Sequence, residues 1–228
     1  MDSGVLSLVA TPIGNLEDIT LRALRVLQEC DVVLCEDTRV TQKLLAKYEI
    51  KKPLLTADTH VSKNQLGKIR SLLEEGKHVA LVSDAGTPGL SDPGTFLVDW
   101  IRQEKIACKI EAIPGVSAVA TVVSLAGVLG NEWMFLGFLP QKKGRQTALK
   151  DIALRKEATV FYESSHRILK CLQELIQVVP DRKIGIGREL TKLYEEYLIG
   201  TPQELLSLLE KNKEKQKGEF VLVVYPGK

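Results

Sequence analysis

Three loops containing glycine and proline are the segments of this sequence best suited to hold a ligand. They span residues 11–16, 83–94 and 113–118, and each directly follows a short apolar run. Glycine lets a backbone approach a bound molecule closely, and proline fixes the path of a loop. Asp84 stands where the apolar run before the second loop ends, and Ser117 is of the type that caps helix N-termini. A long shaped loop between compact elements is more often functional than a spacer, so we predict that 83–94 belongs to a binding site.

The first and third loops also have ordinary structural explanations. Residues 11–16 lack the G-x-G-x-x-G spacing of a dinucleotide site and fit a plain turn from strand to helix. Residues 113–118 fit a hinge followed by a capped helix. The sequence contains no phosphate-binding P-loop, no H-E-x-x-H motif and no G-x-S-x-G motif. The loops alone therefore indicate a ligand site and leave the ligand open.

Carboxylates and histidines supply the candidates for acid–base chemistry. Asp37 lies in the stretch 36–39 (EDTR), directly after the second apolar run, where it could hold a cation or a hydroxyl. Its ordinary explanation is a helix N-cap with a local pair to Arg39. His60 and His166 lie in loop-like stretches, where each could contact a substrate.

The charge balance neither supports nor excludes a nucleic-acid partner. Lys and Arg total 31 against 29 Asp and Glu, which gives a net charge of +2. An RNA-binding protein with this balance would need its positive charge gathered on one face. The best cluster is Lys142, Lys143 and Arg145, in a glycine-containing loop after Pro140, although the same residues could form an ordinary exposed turn.

Composition predicts a globular protein of the reducing cytoplasm. The chain has 228 residues, of which 44% are hydrophobic and 26% charged, as in ordinary globular proteins. Its four cysteines form no C-x-x-C pair, so we expect reduced thiols and no metal site. The first residues carry no basic region of the kind that opens a signal peptide, and the longest apolar run, 118–130, is too short to span a bilayer.

Short apolar runs alternate with amphipathic segments through the first half of the chain. We predict strands at 5–10, 32–35, 54–56, 79–83 and 108–113, with helices at 21–30, 41–48, 65–75 and 95–104. Such alternation is typical of a parallel sheet covered by helices, which binds ligands at the carboxyl ends of its strands.

The pattern changes at Pro114-Gly115, which we take as the boundary between domains 1–114 and 115–228. The second half predicts helices at 117–126, 148–155, 166–178 and 201–211, with strands at 134–138, 159–163, 183–188, 194–199 and 219–225. No helix separates the strands at 183–188 and 194–199, which favours an antiparallel pair and a mixed sheet. The expected fold is therefore two α/β domains, the first with a mostly parallel sheet and the second with a mixed one.

Taken together and in order, these motifs resemble the tetrapyrrole methylase superfamily, and within it the enzymes that methylate a cytidine 2′-hydroxyl of 16S ribosomal RNA. The matching stretches cover nearly the whole chain: 11–20, 36–39, 82–88, 92–94, 114–115, 137–140, 161–164, 166–167, 188–192 and 217–219. Two features depart from the family pattern. Only His60 clearly matches a His-rich stretch after the third strand, and the chain stops at Lys228, where longer members continue into a helical tail.

The resemblance implies a fold, a cofactor and partners. It implies two α/β domains with S-adenosyl-L-methionine in the cleft between them, a homodimer, and 16S ribosomal RNA or the 30S subunit as substrate. The positions that match the family's cofactor site are Pro12, Asp84, Gly86, Thr87, Ser117, Ala118 and Tyr162.

A ribose hydroxyl is a poor nucleophile, so a base or a hydrogen-bond acceptor should lie near it. Asp37 or Glu163 is the expected group, with His60 and His166 as histidine alternatives. The residues expected to contact RNA are Lys142, Lys143 and Arg145, joined by Arg39, Arg167, Arg188 and Lys192 beside the motif loops.

Other functions remain open at this point. One alternative within the superfamily is methylation of a small molecule, such as a tetrapyrrole, or of a modified protein histidine, although those relatives open with a more glycine-rich first loop. An alternative of another class is a non-catalytic RNA-binding assembly factor, which would show no turnover. A nucleotide-binding enzyme of the Rossmann type is disfavoured by the missing glycine fingerprint.

Overall fold

The computed structural model describes residues 3–57, 61–92, 94–128 and 132–227. The chain folds into two compact units, Met1–Ser117 and Ala118–Lys228, each built around its own five-stranded sheet. The predicted two-domain α/β fold is thereby confirmed. Within the described part of the chain, no helix combines the length and the apolar character needed to cross a bilayer.

The first unit is an open parallel sheet. Its elements in chain order are β1 (Gly4–Val9), α1 (Leu21–Glu29), β2 (Val32–Cys35), α2 (Thr38–Lys47), β3 (Leu54–Thr56), α3 (Lys63–Glu74), β4 (His78–Val82), α4 (Gly94–Gln103) and β5 (Cys108–Ile113). The strand order is β3-β2-β4-β1-β5, and every neighbouring pair is parallel. The carboxyl ends of all five strands therefore share one edge of the sheet.

Helices pack on both faces of this sheet. On one face Val9 and Val82 pack with residues of α1 and α2, and on the other Leu6 and Leu81 pack with residues of α3 and α4. A strand buried on both faces is apolar along its length, without the alternation of a half-exposed strand. This double coverage is why short continuous apolar runs marked β2 and β4 in the sequence.

Side-chain caps set where the helices of the first unit begin. Ser62 and Gln65 form a capping box at the start of α3. Asp37 caps α2, which begins at Thr38, three residues before the predicted start. The sequence offered this N-cap as the ordinary explanation of Asp37, and the structure contains it.

The second unit has a mixed sheet. Its elements are α5 (Ala118–Ala126), β6 (Trp133–Phe138), α6 (Arg145–Leu154), β7 (Ala158–Ser164), α7 (Ile168–Val178), β8 (Ile184–Arg188), β9 (Glu196–Gly200), α8 (Pro202–Lys211) and β10 (Glu219–Val224). The strand order is β6-β7-β10-β8-β9, in which β6 and β7 are parallel and the other neighbours antiparallel. The predicted antiparallel pair is β8 and β9. The principal core of this unit lies among α6, α7, α8 and the sheet.

Candidate functional site

The loops after β1 and β4 are joined by backbone hydrogen bonds at the carboxyl edge of the parallel sheet. The Thr11 amide donates to the Gly86 carbonyl at 2.9 Å, and the Gly86 amide donates to the Thr11 carbonyl at 3.0 Å. The buried Thr11 hydroxyl also donates to the Ser83 carbonyl at 3.1 Å. Gly86 has φ +85°, and a Cβ there would lie 3.3 Å from Cγ2 of Ile13. The junction therefore requires glycine at position 86.

The loop after β5 joins the same assembly. Thr87 donates its hydroxyl to the Val116 carbonyl at 2.9 Å. A Cβ on Gly115 would lie only 2.8 Å from Cβ of Ala10, so glycine permits this close approach. The three loops identified in the sequence thus meet at one edge, as expected for parallel strands.

The distal part of the long loop is closed by an aspartate. The Asp92 carboxylate accepts from the Gly89 amide at 2.8 Å and from the Gly94 amide at 2.7 Å. These bonds hold the turn that leads into α4. Pro93 lies outside the described residues, as does His60, one of the histidines predicted to contact substrate.

Carboxylates also link the loops after β2 and β4. The Asp37 amide donates to Oδ1 of Asp84 at 3.1 Å, and the Asp84 amide donates to Oε1 of Glu36 at 3.3 Å. Burial raises the pKa of the nearby Cys35 thiol, and the carboxylates of Asp84, Asp37 and Glu36 add to that rise. Three carboxylates therefore act on one small region of the edge. Arg39 pairs with one of them, Asp37, and the combined charge of the carboxylates favours a cationic ligand.

Asp37 is held by its neighbour Arg39. Its Oδ1 accepts from the Arg39 amide at 2.8 Å, and its Oδ2 accepts from Nη2 of the guanidinium at 2.6 Å. The Arg39 side-chain hydrogen bonds are the main reason that the pKa of Asp37 is lowered to about 2. Such a carboxylate is ionised at neutral pH and is a weak proton acceptor. Asp37 can accept a hydrogen bond from a hydroxyl, but it is poorly matched to general-base catalysis.

Removal of the Arg39 side chain tests this account of Asp37. In Arg39→Ala we expect the pKa of Asp37 to rise from about 2 toward the ordinary value of about 3.9. The pKa of Asp37 is lower in the folded protein than in the unfolded chain, so the Asp37–Arg39 pair stabilises the fold at pH values above the unfolded pKa. That stabilisation is lost as the pH falls through the folded pKa. NMR titration of the Asp37 carboxyl carbon measures the change, with Arg70→Ala as a control at another exposed ion pair. An unchanged Asp37 pKa would contradict the assignment.

The other residues predicted to bind the cofactor lie on the first loop, at the end of the first unit, and in α5 and β7. Pro12 is buried beside Thr11 on the first loop, and Ser117 is the last residue of the first unit. Ala118 begins α5, and Tyr162 lies in β7, where its ring contacts Phe138 with centroids 5.2 Å apart. The roles of these residues in cofactor binding stay predictions.

Glu163, the second predicted catalytic carboxylate, lies in a buried ion network of the second unit. It is 1% exposed. Its Oε1 is 2.7 Å from Nη2 of Arg167, and its Oε2 is 3.1 Å from Nη2 of Arg145. Arg145 also contacts Glu174 at 2.7 Å. Burial raises the pKa of the adjacent Cys171 thiol to about 12, as expected in a dry environment. A carboxylate buried in this way belongs to the internal ion network of the second unit and is shielded from solvent.

Arg145 and Arg188 are buried, whereas the sequence predicted that they contact RNA. Arg145 is 3% exposed because its guanidinium is used within the Glu163 network, and Arg188 is 8% exposed. Arg188 donates to the carbonyls of Lys217, Tyr194 and Glu214, and it pairs with Glu196. Both guanidinium groups are engaged inside the second unit. They organise the protein and are not positioned as surface contacts for phosphate.

The remaining predicted contacts are more exposed. Arg39 and Lys192 pair with carboxylates, whereas Lys142 and Lys143 are exposed and have no ion-pair partner within 4.0 Å among the described residues. His166 is exposed in the turn before α7. The two lysines are therefore the predicted RNA contacts whose charges the described part of the protein leaves uncompensated.

Two features of the site were missed in the sequence. The first is the use of Thr11 as the bridge to Gly86, for which the sequence carries no specific signal. The second is the burial of Arg145, which helical spacing could have indicated. Arg145, Leu149 and Ile152 follow the four- and three-residue spacing of one helix face, and all three are buried.

Comparisons with known proteins agree with this architecture. The model of the family described as Tetrapyrrole (Corrin/Porphyrin) Methylases matches residues 5–206. A ribosomal RNA small subunit methyltransferase I of Thermotoga maritima is 46% identical over 221 residues, which are 97% of this chain and 98% of that protein. A protein of the same name from Borrelia garinii subsp. bavariensis is 47% identical, over 96% of this chain and 98% of its own length.

A solved structure shares the fold at much lower identity. The cobalamin biosynthetic enzyme cobalt precorrin-4 methyltransferase superposes with a TM-score of 0.72 and 22% identity, over 96% of this chain and 94% of its own. At that identity the likeness concerns the fold alone.

Proposed function

The chain belongs to the tetrapyrrole methylase family and, within it, to the ribosomal RNA small subunit methyltransferase I group, and from this premise we propose that it methylates a cytidine 2′-hydroxyl of 16S ribosomal RNA with S-adenosyl-L-methionine. The observation that carries the proposal is the 46% identity to the Thermotoga maritima protein over 97% of this chain and 98% of that one. The corrin-modifying enzyme that shares the fold is only 22% identical. The proposed RNA substrate is therefore favoured over a tetrapyrrole.

The residues at the edge of the parallel sheet fit S-adenosyl-L-methionine. When bound, it supplies a methyl group on a cationic sulfonium. The carboxylates of Glu36, Asp37 and Asp84 favour a cationic ligand at this edge. Gly86, which has no Cβ, lets the loop after β4 lie against the loop after β1, and the Thr87 hydrogen bond to Val116 keeps the adjoining loop in place. We propose Asp84, an exposed acceptor, as the principal polar contact with the cofactor.

Positioning is the main contribution of the chain to the reaction. Holding a donor and an attacking group in line can supply roughly 7–11 kcal/mol of the barrier. The joined loops form a rigid frame for such alignment, because each is hydrogen-bonded to another loop of the edge. Asp37, ionised at neutral pH, accepts a hydrogen bond from a hydroxyl and orients it.

Methyl transfer to purified subunits tests the proposal. Radiolabelled S-adenosyl-L-methionine is incubated with the protein and 30S subunits from cells that lack the endogenous enzyme, and the labelled nucleotide is mapped. We expect label on the 2′-oxygen of a cytidine of 16S RNA. Label on another nucleotide would overturn the proposed acceptor, and RNA binding without any label would favour an assembly factor over an enzyme. A ribosomal substrate also implies action in the cytoplasm.

Lys142 and Lys143 are proposed to contact RNA phosphates. Replacing both with glutamine should weaken binding to 30S subunits and reduce the slope of log affinity against log salt by about 0.7–0.9 for each phosphate that is no longer neutralised. The matched control is Lys211→Gln with Lys213→Gln, which removes two exposed lysines of the same unit. Filter binding at several salt concentrations measures the slope. Equal slopes for the two double variants would remove Lys142 and Lys143 from the RNA surface.

A further inference from the structure

An aromatic ring stands exposed at the carboxyl end of β6. Phe138 is the last residue of that strand and is 55% exposed. Its ring contacts Tyr162 with centroids 5.2 Å apart and planes at 56°. Tyr162 in turn contacts Phe135 at 5.1 Å and 72°. Phe138 is therefore supported by other rings while more than half of its surface faces solvent.

The backbone before Phe138 departs from regular strand geometry. Gly137 has φ +62°, and the register between β6 and β7 shifts between Phe135 and Phe138. Irregularities of this kind redirect the next side chain and are common at functional sites. The direction of Phe138 is thus set by a local feature that requires glycine.

The backbone after Phe138 is held by two arginines of the Glu163 ion network. Arg167 donates from Nη1 to the Leu139 carbonyl at 3.2 Å, and Arg145 donates from Nη1 to the Pro140 carbonyl at 3.2 Å. Both arginines pair with the buried Glu163. The ring is consequently fixed on both sides along the chain, so little conformational entropy is lost when a ligand contacts it.

Positive charge follows directly after the ring. Lys142 and Lys143 lie four and five positions beyond Phe138, in a turn that the Arg145 amide closes by donating to the Lys142 carbonyl at 3.2 Å. Among the described residues neither lysine has an ion-pair partner within 4.0 Å. An apolar partner would have to cover or displace two hydrated ammonium groups, whereas a nucleic acid brings phosphates to them.

We propose that Phe138 is the stacking platform for one unpaired base of the RNA substrate, with Lys142 and Lys143 on the adjoining phosphates. Single-stranded RNA is held in general by aromatic stacking of splayed bases beside basic side chains. The inference rests on the proposed function, because it names the residue of this chain that selects an unpaired nucleotide. It predicts a preference for single-stranded or looped RNA over a continuous duplex.

Substitution of Phe138 separates stacking from charge. The probe is a 12-nucleotide single-stranded RNA carrying one 2-aminopurine, whose fluorescence is quenched when the base stacks, and methyl transfer to 30S subunits is measured in parallel. Phe138→Ala should lower RNA affinity about 5- to 150-fold and abolish the quenching, since stacking on an aromatic side chain contributes that much per base. Phe138→Trp should retain both. The salt slope should not change in either variant, because Lys142 and Lys143 are retained.

Trp133→Ala is the matched control, because Trp133 is the first residue of the same strand and is 41% exposed. Thermal melts verify that each variant is folded. If Phe138→Ala and Trp133→Ala bind RNA with equal affinity, the inference is overturned. It is also overturned if Phe138→Ala binds RNA normally but light scattering shows a changed oligomeric state, because the ring would then contact a second copy of the chain. A wild-type protein that methylates 30S subunits while Phe138→Ala behaves as the control overturns this inference alone. A wild type that neither binds nor methylates RNA overturns the proposed function with it.

Discussion

Replacing Glu163 with alanine is expected to destabilise the second unit by up to about 3–5 kcal/mol, because it removes a carboxylate that pairs with both Arg145 and Arg167. Arg145 has a side chain only 4% exposed, and Glu174 alone would remain to pair with it. Glu163→Gln should cost less, since the amide oxygen still accepts hydrogen bonds from one arginine. Glu210→Ala, at an exposed position of α8, is the control and should have little effect.

The two tryptophans allow this effect to be assigned to one unit. Trp133 lies in the second unit and Trp100 in the first, so a Trp100→Phe background leaves Trp133 as the reporter of the second unit. Urea unfolding followed by Trp133 fluorescence should show the loss in Glu163→Ala. If Glu163 were instead a catalytic base, turnover would fall while the unfolding midpoint stayed unchanged, and the structural role would be rejected.

Replacing Gly86 with alanine is expected to lower both the stability of the first unit and the affinity for S-adenosyl-L-methionine. An L-residue in the left-handed region costs about 1–2 kcal/mol, and the new Cβ would press on Ile13. The strain falls between Asp84 and Thr87, so we expect cofactor affinity to fall at least about tenfold, as a shift of about 1.4 kcal/mol would produce. Calorimetric titration with S-adenosyl-L-methionine measures the affinity.

Gly67→Ala is the control, and its expected effect on the stability of the first unit is opposite to that of Gly86→Ala. Gly67 lies within α3, and a Cβ there would meet no atom within 4 Å. Alanine should therefore stabilise the first unit by about 0.5–1 kcal/mol and leave cofactor affinity unchanged. Trp100 fluorescence in a Trp133→Phe background reports both changes in stability. Equal cofactor affinities for Gly86→Ala and Gly67→Ala would exclude the Gly86 loop from the cofactor site.

The order of the elements could be predicted from the sequence because local patterns encode it. Strands buried on both faces correspond to short apolar runs in the sequence. Residues 201–204 have the pattern of a capping box, which the structure contains at the start of α8. The boundaries were less accurate. The helix expected at 148–155 begins at Arg145, because its first turn carries a buried charge that does not look like part of an apolar face.

The candidate site was only partly predictable, for a physical reason. A sequence shows that a loop follows a strand, and the rule for parallel sheets then brings the ends of the strands together. It does not show which side chains are neutralised by partners distant along the chain. The sequence indicates Glu163 as a candidate catalytic carboxylate and Arg145 as a candidate RNA contact, but it does not reveal that the two residues pair with each other across 18 positions.

The position of β1 between β4 and β5 has a consequence for synthesis of the protein. Its neighbours β4 and β5 come much later in the chain, and 71 positions separate Ser7 of β1 from its hydrogen-bonded partner His78. At translation rates of about 5–20 residues per second, the apolar β1 strand waits about 4–14 s before a pairing strand is made. During that interval the nascent chain carries a hydrophobic segment without its sheet partners, and exposed apolar strands of this kind favour aggregation until the rest of the unit has been made.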